Sequence, residues 1–398
     1  MMRLWKPLLP ENIANPYPMY AVLRESNPVH KAQTGEWVIT KYEDIKAILQ
    51  DKRFLSGSKK TWVQKGITYF KNKDQDLSQI GKAIDTFLLF INPPGHTKIR
   101  KLVSLAWSDK AVDHIIKSNL KTLLSQKSGR IDIINELAQP LPALTISTIM
   151  GIPLVDAELL RAKGASLLKV LDLYISLKEL VQVDKSASFF VDYFAKHITR
   201  KRKHPADDLT SSIIRQNNAL HEPASVNELI SLCIFLFLAG EETTVSLIGN
   251  GLLNLDSWPK QKDLIARNPR EWPSAINELL RYDSPVHVVG RVAGTDISFK
   301  NVEFQKGDVI TLCIASGNRD SARFIHPNVL NIHRKNNRHL AFGSGAHFCM
   351  GDWLAKRQGE LALRAFLEKY PQYTLEKKDL TWNNNLSIRS LQSLHAKI

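Results

Sequence analysis

From Ser225 to Leu255 the sequence permits little except one long helix. Ser225-Val226-Asn227-Glu228 is a capping box, in which hydroxyl and carboxylate each take up a backbone N–H at the helix start. An apolar run, Leu229 to Gly240, follows, and helical character continues to about Leu255 before Pro259. About 30 residues at ~1.5 Å each give ~45 Å, the width of a whole domain, so such a helix must be mostly core. The chain has the material to bury it: 398 residues, 43% hydrophobic, enough for one large domain or two ordinary ones. The apolar run itself falls short of the ~20 residues that cross a bilayer, so no membrane span is expected.

The middle of this helix is inconsistent with plain core. Glu241, Glu242, Thr243 and Thr244 follow directly on Leu232 to Ala239. A buried carboxylate and hydroxyl are costly unless paired or hydrated. Thr243 can bond the carbonyl of Ala239, which loosens the helix, and Gly240 removes bulk beside it. The result is either a small polar notch facing a ligand, with Glu242 or water as proton source, or a helix emerging from the core.

A second unusual stretch is AFGSGAHFCMG, Ala341 to Gly351. Three glycines let backbone approach a flat ligand closely, and Cys349 precedes an apolar run whose helix N-terminus would stabilise a thiolate. Alone, Cys349 reads equally as a small buried hydrophobe. The three cysteines, Cys233, Cys313 and Cys349, form neither a disulfide framework nor a zinc pattern, which fits a reducing, cytoplasmic setting. Upstream, two prolines and a glycine start a helix in NPPGHTKIRKLVSLAW, Asn92 to Trp107. On it His96 and Arg100 stand i,i+4 and share a face, suiting a carboxylate or making an exposed pair.

Elsewhere the pattern predicts helices at Tyr17 to Ser26 and Tyr42 to Gln50, a strand at Trp37 to Thr40, and amphipathic helices across Ala111 to Lys201 broken at Pro140, Pro142 and Gly151-Ile152-Pro153. Ser56 to Asp85 reads as a long loop or short mobile helices. Asp296 to Cys313 reads as a small antiparallel sheet, and Pro273 starts a helix in which Glu278 and Arg281 can pair at i,i+3. The expected fold class is mainly α with a minor antiparallel β part.

The net charge of +15 and pI of about 9.6 point to an anionic partner, but the cations are scattered. The densest cluster, Arg200 to Lys203, reads as a solvated helix end, and no nucleic-acid motif accompanies it. The N-terminal residues, broken by prolines, lack an apolar run of signal length.

Four motifs occur in one order: HTKIR from residue 96, AGEETT from 239, ELLR from 278 and FGSGAHFCMG from 342. Together they resemble the cytochrome P-450 family of heme-thiolate monooxygenases in its soluble bacterial form, over nearly the whole chain; NPYPMYAVLRESNPVH and ASGNRDSARF are also similar to it. The resemblance implies a single catalytic domain over 1–398, a long central helix over a buried heme b (iron protoporphyrin IX), and Cys349 as proximal iron ligand. It makes His96, Arg100, Arg291 and His347 propionate contacts, places Phe342, Ala239 and Gly240 against the heme, and gives Glu242 and Thr243 proton delivery on the oxygen side. Glu278 and Arg281 become a structural pair behind the heme.

The same resemblance directs His287, Val288, Phe235 and the turn near Ile388 toward substrate, and their apolar lining with one imidazole suits a small lipophilic molecule carrying a polar handle. It implies an acidic ferredoxin or flavodoxin with its reductase as electron donor, and Lys98, Lys101, Lys356 and Arg357 are candidates to meet it. Gln358 stands where a carboxylate is usual, Met350 where leucine is, and Asn92 where aspartate is common. A peroxide-driven peroxygenase and a non-catalytic heme sensor are the competing readings.

Overall fold

The computed structural model describes residues 5–73, 76–109, 111–125, 127–172, 175–378 and 380–398. Residues 1–4, 74–75, 126 and 173–174, which fall in stretches read above as proline-broken N-terminus, loop and helices, lie outside them. Two compact units divide the chain: Met1–Leu55, Leu120–Leu141 and Glu242–Ile398 form one, Ser56–Asn119 and Pro142–Glu241 the other.

The first unit is built on a five-stranded sheet, in the order Val29–Lys31, Trp37–Ile39, Val309–Leu312, Val289–Ala293, Phe54–Leu55. Its apolar residues Ile39, Ile310, Leu312 and Phe54 pack with Ile45 and Ile48 of the helix Tyr42–Gln50, which spans the expected residues. The expected sheet at 296–313 divides differently. Ile297–Phe299 and Val302–Phe304 make a separate hairpin, while Val309–Leu312 pairs antiparallel with Val289–Ala293 and parallel with Trp37–Ile39. Alternation along one segment carries no information about a partner 270 residues away, so the parallel pairing escaped the local pattern. The helices Glu242–Ser257, Trp272–Tyr282 and Asp352–Lys369 complete this unit, with Gly359 so near Leu247 that a Cβ would stand 2.5 Å from its methyl.

The second unit centres on the 27-residue helix Leu177–Lys203, started by a capping box of Ser176 and Glu179. The Ser176 N–H, Lys169 and the Ser176 hydroxyl hold the Glu179 carboxyl down to about 2. Phe190 and Phe194 of this helix meet Phe237 of Val226–Ala239 with ring centroids 6.2 and 6.3 Å apart. Each fully buried ring contributes roughly 1.5–3 kcal/mol. Arg200 to Lys203 form the last turn, as expected of a solvated helix end, with Lys201 turned to Asp208.

The stretch that reads as a long loop or short mobile helices is mostly helical, Ser58–Lys71 and Ser78–Thr86, because Val63, Ile80 and Ile84 bury one side while polar residues between them hide the period. One expectation changes here. The long central helix is two, Val226–Ala239 and Glu242–Ser257, with a turn at Gly240 and Glu241. The capping box at Ser225 is present as read. The span Val226–Ser257 is long and apolar enough to cross a membrane, but 67% of its 18-residue apolar window is buried inside the protein, as befits a core helix.

Candidate functional site

In the first unit the Cys349 stretch is a pinned turn. Gly343 and Gly345 adopt φ of +72° and +73°, open to glycine at little cost. A Cβ on Gly345 would stand 2.5 Å from the Leu49 carbonyl oxygen, so the turn is pressed against the helix Tyr42–Gln50, where Gln50 Nε2 donates to Ser344 Oγ at 3.0 Å. The Cys349 N–H donates to the Phe342 carbonyl at 3.0 Å, which brings those two residues together, and His347 lies in the short 3₁₀ turn between them. The helix Asp352–Lys369 starts three residues after Cys349, so its N-terminal dipole end faces the turn's end.

The three thiols differ. Cys233 and Cys313 are buried, and burial pushes the Cys233 thiol up to about 12 and raises Cys313 further. Cys349 is only half-buried, which makes it the thiol that a metal can reach. Phe342 beside it lies under the Lys356 ammonium, 5.0 Å from the ring centroid.

His339 holds the chain before this turn and was not singled out by sequence. Its Nδ1 accepts the Ala341 N–H at 3.2 Å and its Nε2 lies 3.3 Å from Asn277 Oδ1, the pattern of a neutral imidazole donating from Nε2. Burial, then Lys356 and Arg281, holds its pKa down to about 3.

Arg291, on the strand Val289–Ala293, is buried, and Nη1 donates to the Gly290 carbonyl at 2.8 Å. Burial alone lowers its pKa to about 10, and among the described residues no carboxylate raises it back. A buried guanidinium without an opposite charge calls for an external anion. Glu242 and Thr243, both half-buried, open the helix Glu242–Ser257, where a carboxylate is favoured by the N-terminal dipole.

The His287 imidazole, expected to reach substrate, is buried, with Nδ1 3.3 Å from Tyr20 Oη, Nε2 3.7 Å from Asp283, and rings of Tyr17 and Tyr20 within 6.0 Å. Asp283 takes a bond from Tyr17 at 2.7 Å and from Arg389 at 3.2 Å, and Arg319 stacks on Tyr17 at 3.6 Å. Burial lowers the His287 pKa, which favours the neutral ring. This cluster escaped sequence reading because its members lie up to 372 positions apart (389 − 17). Val288 and Ile388 are buried nearby in sequence terms, Ile388 bridging to Val286.

In the second unit, His96 and Arg100 lie on the helix Gly95–Ala106 one turn apart, with His96 buried and its pKa lowered first by burial, then by Arg100. Asn92 explains its departure from aspartate: Oδ1 accepts the Ser56 N–H and Nδ2 donates to the Ser56 carbonyl, both at 3.0 Å, a pair that a carboxylate cannot make. Along Val226–Ala239, Leu229 to Ile234 and then Phe237 and Leu238 are buried, while Phe235 and Leu236 are half-buried and Ala239 is exposed; Phe235 and Ala239 stand i and i+4 on one face. Lys98 pairs with Glu228 at 3.3 Å, while in the first unit Lys356 pairs with Asp352 at 3.2 Å and Arg357 with Glu360 at 2.8 Å, so three of the four cations expected to meet an electron donor are already balanced. Lys101 is exposed.

In the first unit, a half-buried cysteine at a glycine-pinned turn and a buried arginine with no carboxylate beside it among the described residues fit an anionic, metal-bearing group. Residues 273–393 match the cytochrome P450 family. The chain is 33% identical over 394 residues to the biotin biosynthesis cytochrome P450 of Bacillus subtilis (strain 168), with 96% of each covered. It is also 33% identical to the polyketide biosynthesis cytochrome P450 PksS of the same organism, over 96% of this chain and 95% of PksS. Among solved structures it aligns with P450BioI in complex with hexadec-9Z-enoic acid ligated acyl carrier protein, at TM-score 0.88, 30% identity and coverage of 98% and 99%.

Proposed function

The chain belongs to the cytochrome P450 family of heme b monooxygenases, and from that premise we propose that it oxidises a small lipophilic acyl-chain substrate by hydroxylation or epoxidation. Electrons come from NAD(P)H through a ferredoxin or flavodoxin and its reductase, and 1–398 acts as one catalytic domain in the cytoplasm. The heme, when bound, supplies the iron at which O2 is reduced and one of its atoms made transferable.

The rest is work for this chain's residues. Cys349 would hold the iron through its sulfur, with Phe342 bonded to its backbone. Arg291 and His347, and His96 and Arg100 of the second unit, would hold propionates; the buried Arg291, with no carboxylate beside it among the described residues, supports this most directly. Ala239 and Gly240 leave room at the helix break, and Thr243 with Glu242 holds and passes the protons that O2 reduction consumes. Phe235, Val288 and Ile388 give the substrate an apolar lining.

The acyl class is supported by the relatives named for biotin and polyketide biosynthesis and by the neighbour bound to an acyl-loaded carrier protein. His287 acts as a positioning residue: its backbone N–H donates to the Ser387 carbonyl at 2.9 Å and so sets the turn that carries Ile388.

The observation that carries the reading is the half-buried Cys349 at the glycine-pinned turn. The reduced carbon monoxide spectrum tests it. The protein is expected to show the red-shifted Soret band of thiolate ligation, and Cys349→His the band of imidazole ligation. An unshifted parent spectrum counts against Cys349. Product formed with NAD(P)H, donor proteins and O2, but not with peroxide alone, separates the monooxygenase from a peroxygenase.

A further inference from the structure

The segment from Ser56 to Lys73 has no part in the chemistry above, yet it holds five lysines, Lys59, Lys60, Lys65, Lys71 and Lys73, and no acidic residue. Its helix, Ser58–Lys71, buries Val63 and Gly66; a Cβ on Gly66 would stand 2.5 Å from a Leu180 methyl. That contact fixes which side faces outward. Lys65, Lys71 and Lys73 are exposed there, with the Lys73 ammonium 4.7 Å over the Tyr69 ring, and none of the three has an ion pair among the described residues. Unneutralised cations on one exposed face attract an anionic surface.

Where this helix begins lies a cavity of about 330 Å3, lined by Ser56, Lys60, Thr86, Asn92, Gly95 and Glu228 among others. Lys60 belongs to both features. The cavity's charges are internally met: Lys60 stands 3.6 Å from Asp85, and Glu228 is held by Lys98 and the Ser225 N–H. The Ser56 hydroxyl, by contrast, is buried and has no hydrogen-bond partner among the described residues. A Cβ at Gly95 would meet nothing within 4 Å. The lysine face therefore suits anions, and the cavity suits a neutral group rich in hydrogen-bonding atoms.

A carrier protein that presents an acyl chain on a phosphopantetheine arm combines these two chemistries, acidic surface and phosphate outside, amides and hydroxyl along the arm. We propose that the lysine face of Ser58–Lys71 docks such an acidic carrier protein and that the adjoining cavity takes its arm. The proposal rests on the acyl reading above. Glu228, at the cavity, precedes Phe235 by seven residues (235 − 228) on one helix, ~10 Å along its axis and within reach of an extended arm.

The test measures dissociation constants by fluorescence anisotropy, using holo-enzyme with a purified bacterial carrier protein in three forms: apo, holo and hexadecanoyl-loaded. Replacing Lys65, Lys71 and Lys73 together by Glu is expected to weaken the loaded carrier at least tenfold and to remove the salt dependence of its binding. Ser56→Ala is expected to shrink the advantage of holo over apo carrier about threefold. In both variants the spin-state shift with free hexadecanoate stays as in the parent. A triple variant that binds as tightly as the parent overturns the proposal. So does a parent that binds phosphatidylglycerol vesicles but no carrier, which assigns the face to a membrane. Failure of free and carrier-bound hexadecanoate alike to shift the spin state sinks the acyl reading, whereas the docking face is judged by anisotropy alone.

Discussion

Arg281 and Glu278 are completely buried, which makes their pairing a matter of necessity. Arg281 places Nε and Nη2 on the two Glu278 oxygens, both at 2.8 Å, and Nη1 on the carbonyls of Asn318 and Pro327, both at 2.9 Å. Glu278 also receives Arg334 and the Asn331 N–H. It therefore anchors the chain that leads toward His339 and the Cys349 turn. Glu278→Gln leaves two guanidiniums short of a counter-charge, and breaking a buried pair costs about 3–5 kcal/mol. Urea unfolding of the heme-loaded protein should show that loss, while the reduced carbon monoxide band of the surviving folded fraction keeps its position. The sequence motif announced this pair, but only burial distinguishes it from an exposed pair contributing a few tenths of a kcal/mol. Gln358 is similar: buried, with Oε1 lacking a partner, it occupies with a neutral amide a place where an unpaired carboxylate would be far costlier.

Between elements, a histidine fixes the packing of Leu177–Lys203 on Leu209–Asn218. His197 Nδ1 accepts from Arg200 at 3.0 Å, so Nε2 carries the proton and donates to the Met150 carbonyl at 3.2 Å, beside Thr210. Burial, countered in part by the Met150 bond, lowers its pKa to about 4. The folded state thus prefers the neutral ring, while the unfolded chain takes up a proton near pH 6.5. The contribution is complete above about pH 6.5 and lost as pH falls toward 4. Chemical denaturation at pH 7.5 and pH 5 should show a drop in stability that His197→Gln makes shallower. Element existence was readable where apolar spacing is clean, as in Tyr17–Ser26 and Tyr42–Gln50, whose bounds match. It was not readable at Ile134–Ala138, a π-helical turn whose width is set by Gly249, where a Cβ would stand 2.5 Å from the Ile134 Cδ1. Nor did the sequence separate Val226–Ala239 from Glu242–Ser257, because Gly240 and Glu241 are both tolerated within helices. The candidate site followed the same division. Motif residues such as Cys349 and Arg291 are nominated by their local company, whereas the contact of His287 with Tyr20 joins residues 267 positions apart, which no local pattern reveals.

For the chain as a whole, the net charge of +15 is the property no single motif uses up. Part of it is spent locally, since Lys98, Lys356 and Arg357 each face a carboxylate within 3.3 Å. Electron delivery from an acidic donor therefore depends less on those side chains than their positions suggest, and more on the long-range field and on cations such as exposed Lys101. A field effect has a distinct signature. It accelerates encounter, it is screened over ~10 Å at 0.1 M salt, and it leaves the assembled complex's turnover nearly unchanged. With a small acidic ferredoxin and its reductase, raising salt from 20 to about 300 mM should raise the apparent KM for ferredoxin several-fold at near-constant kcat. Lys101→Glu should raise that KM at low salt more than Arg357→Glu does, because Arg357 is already paired with Glu360. Stopped-flow reduction of the substrate-bound ferric protein reads the same quantity directly. A first-electron rate indifferent to salt, with Lys101→Glu equal to the parent, would remove the field from the account and return the donor's recognition to specific contacts.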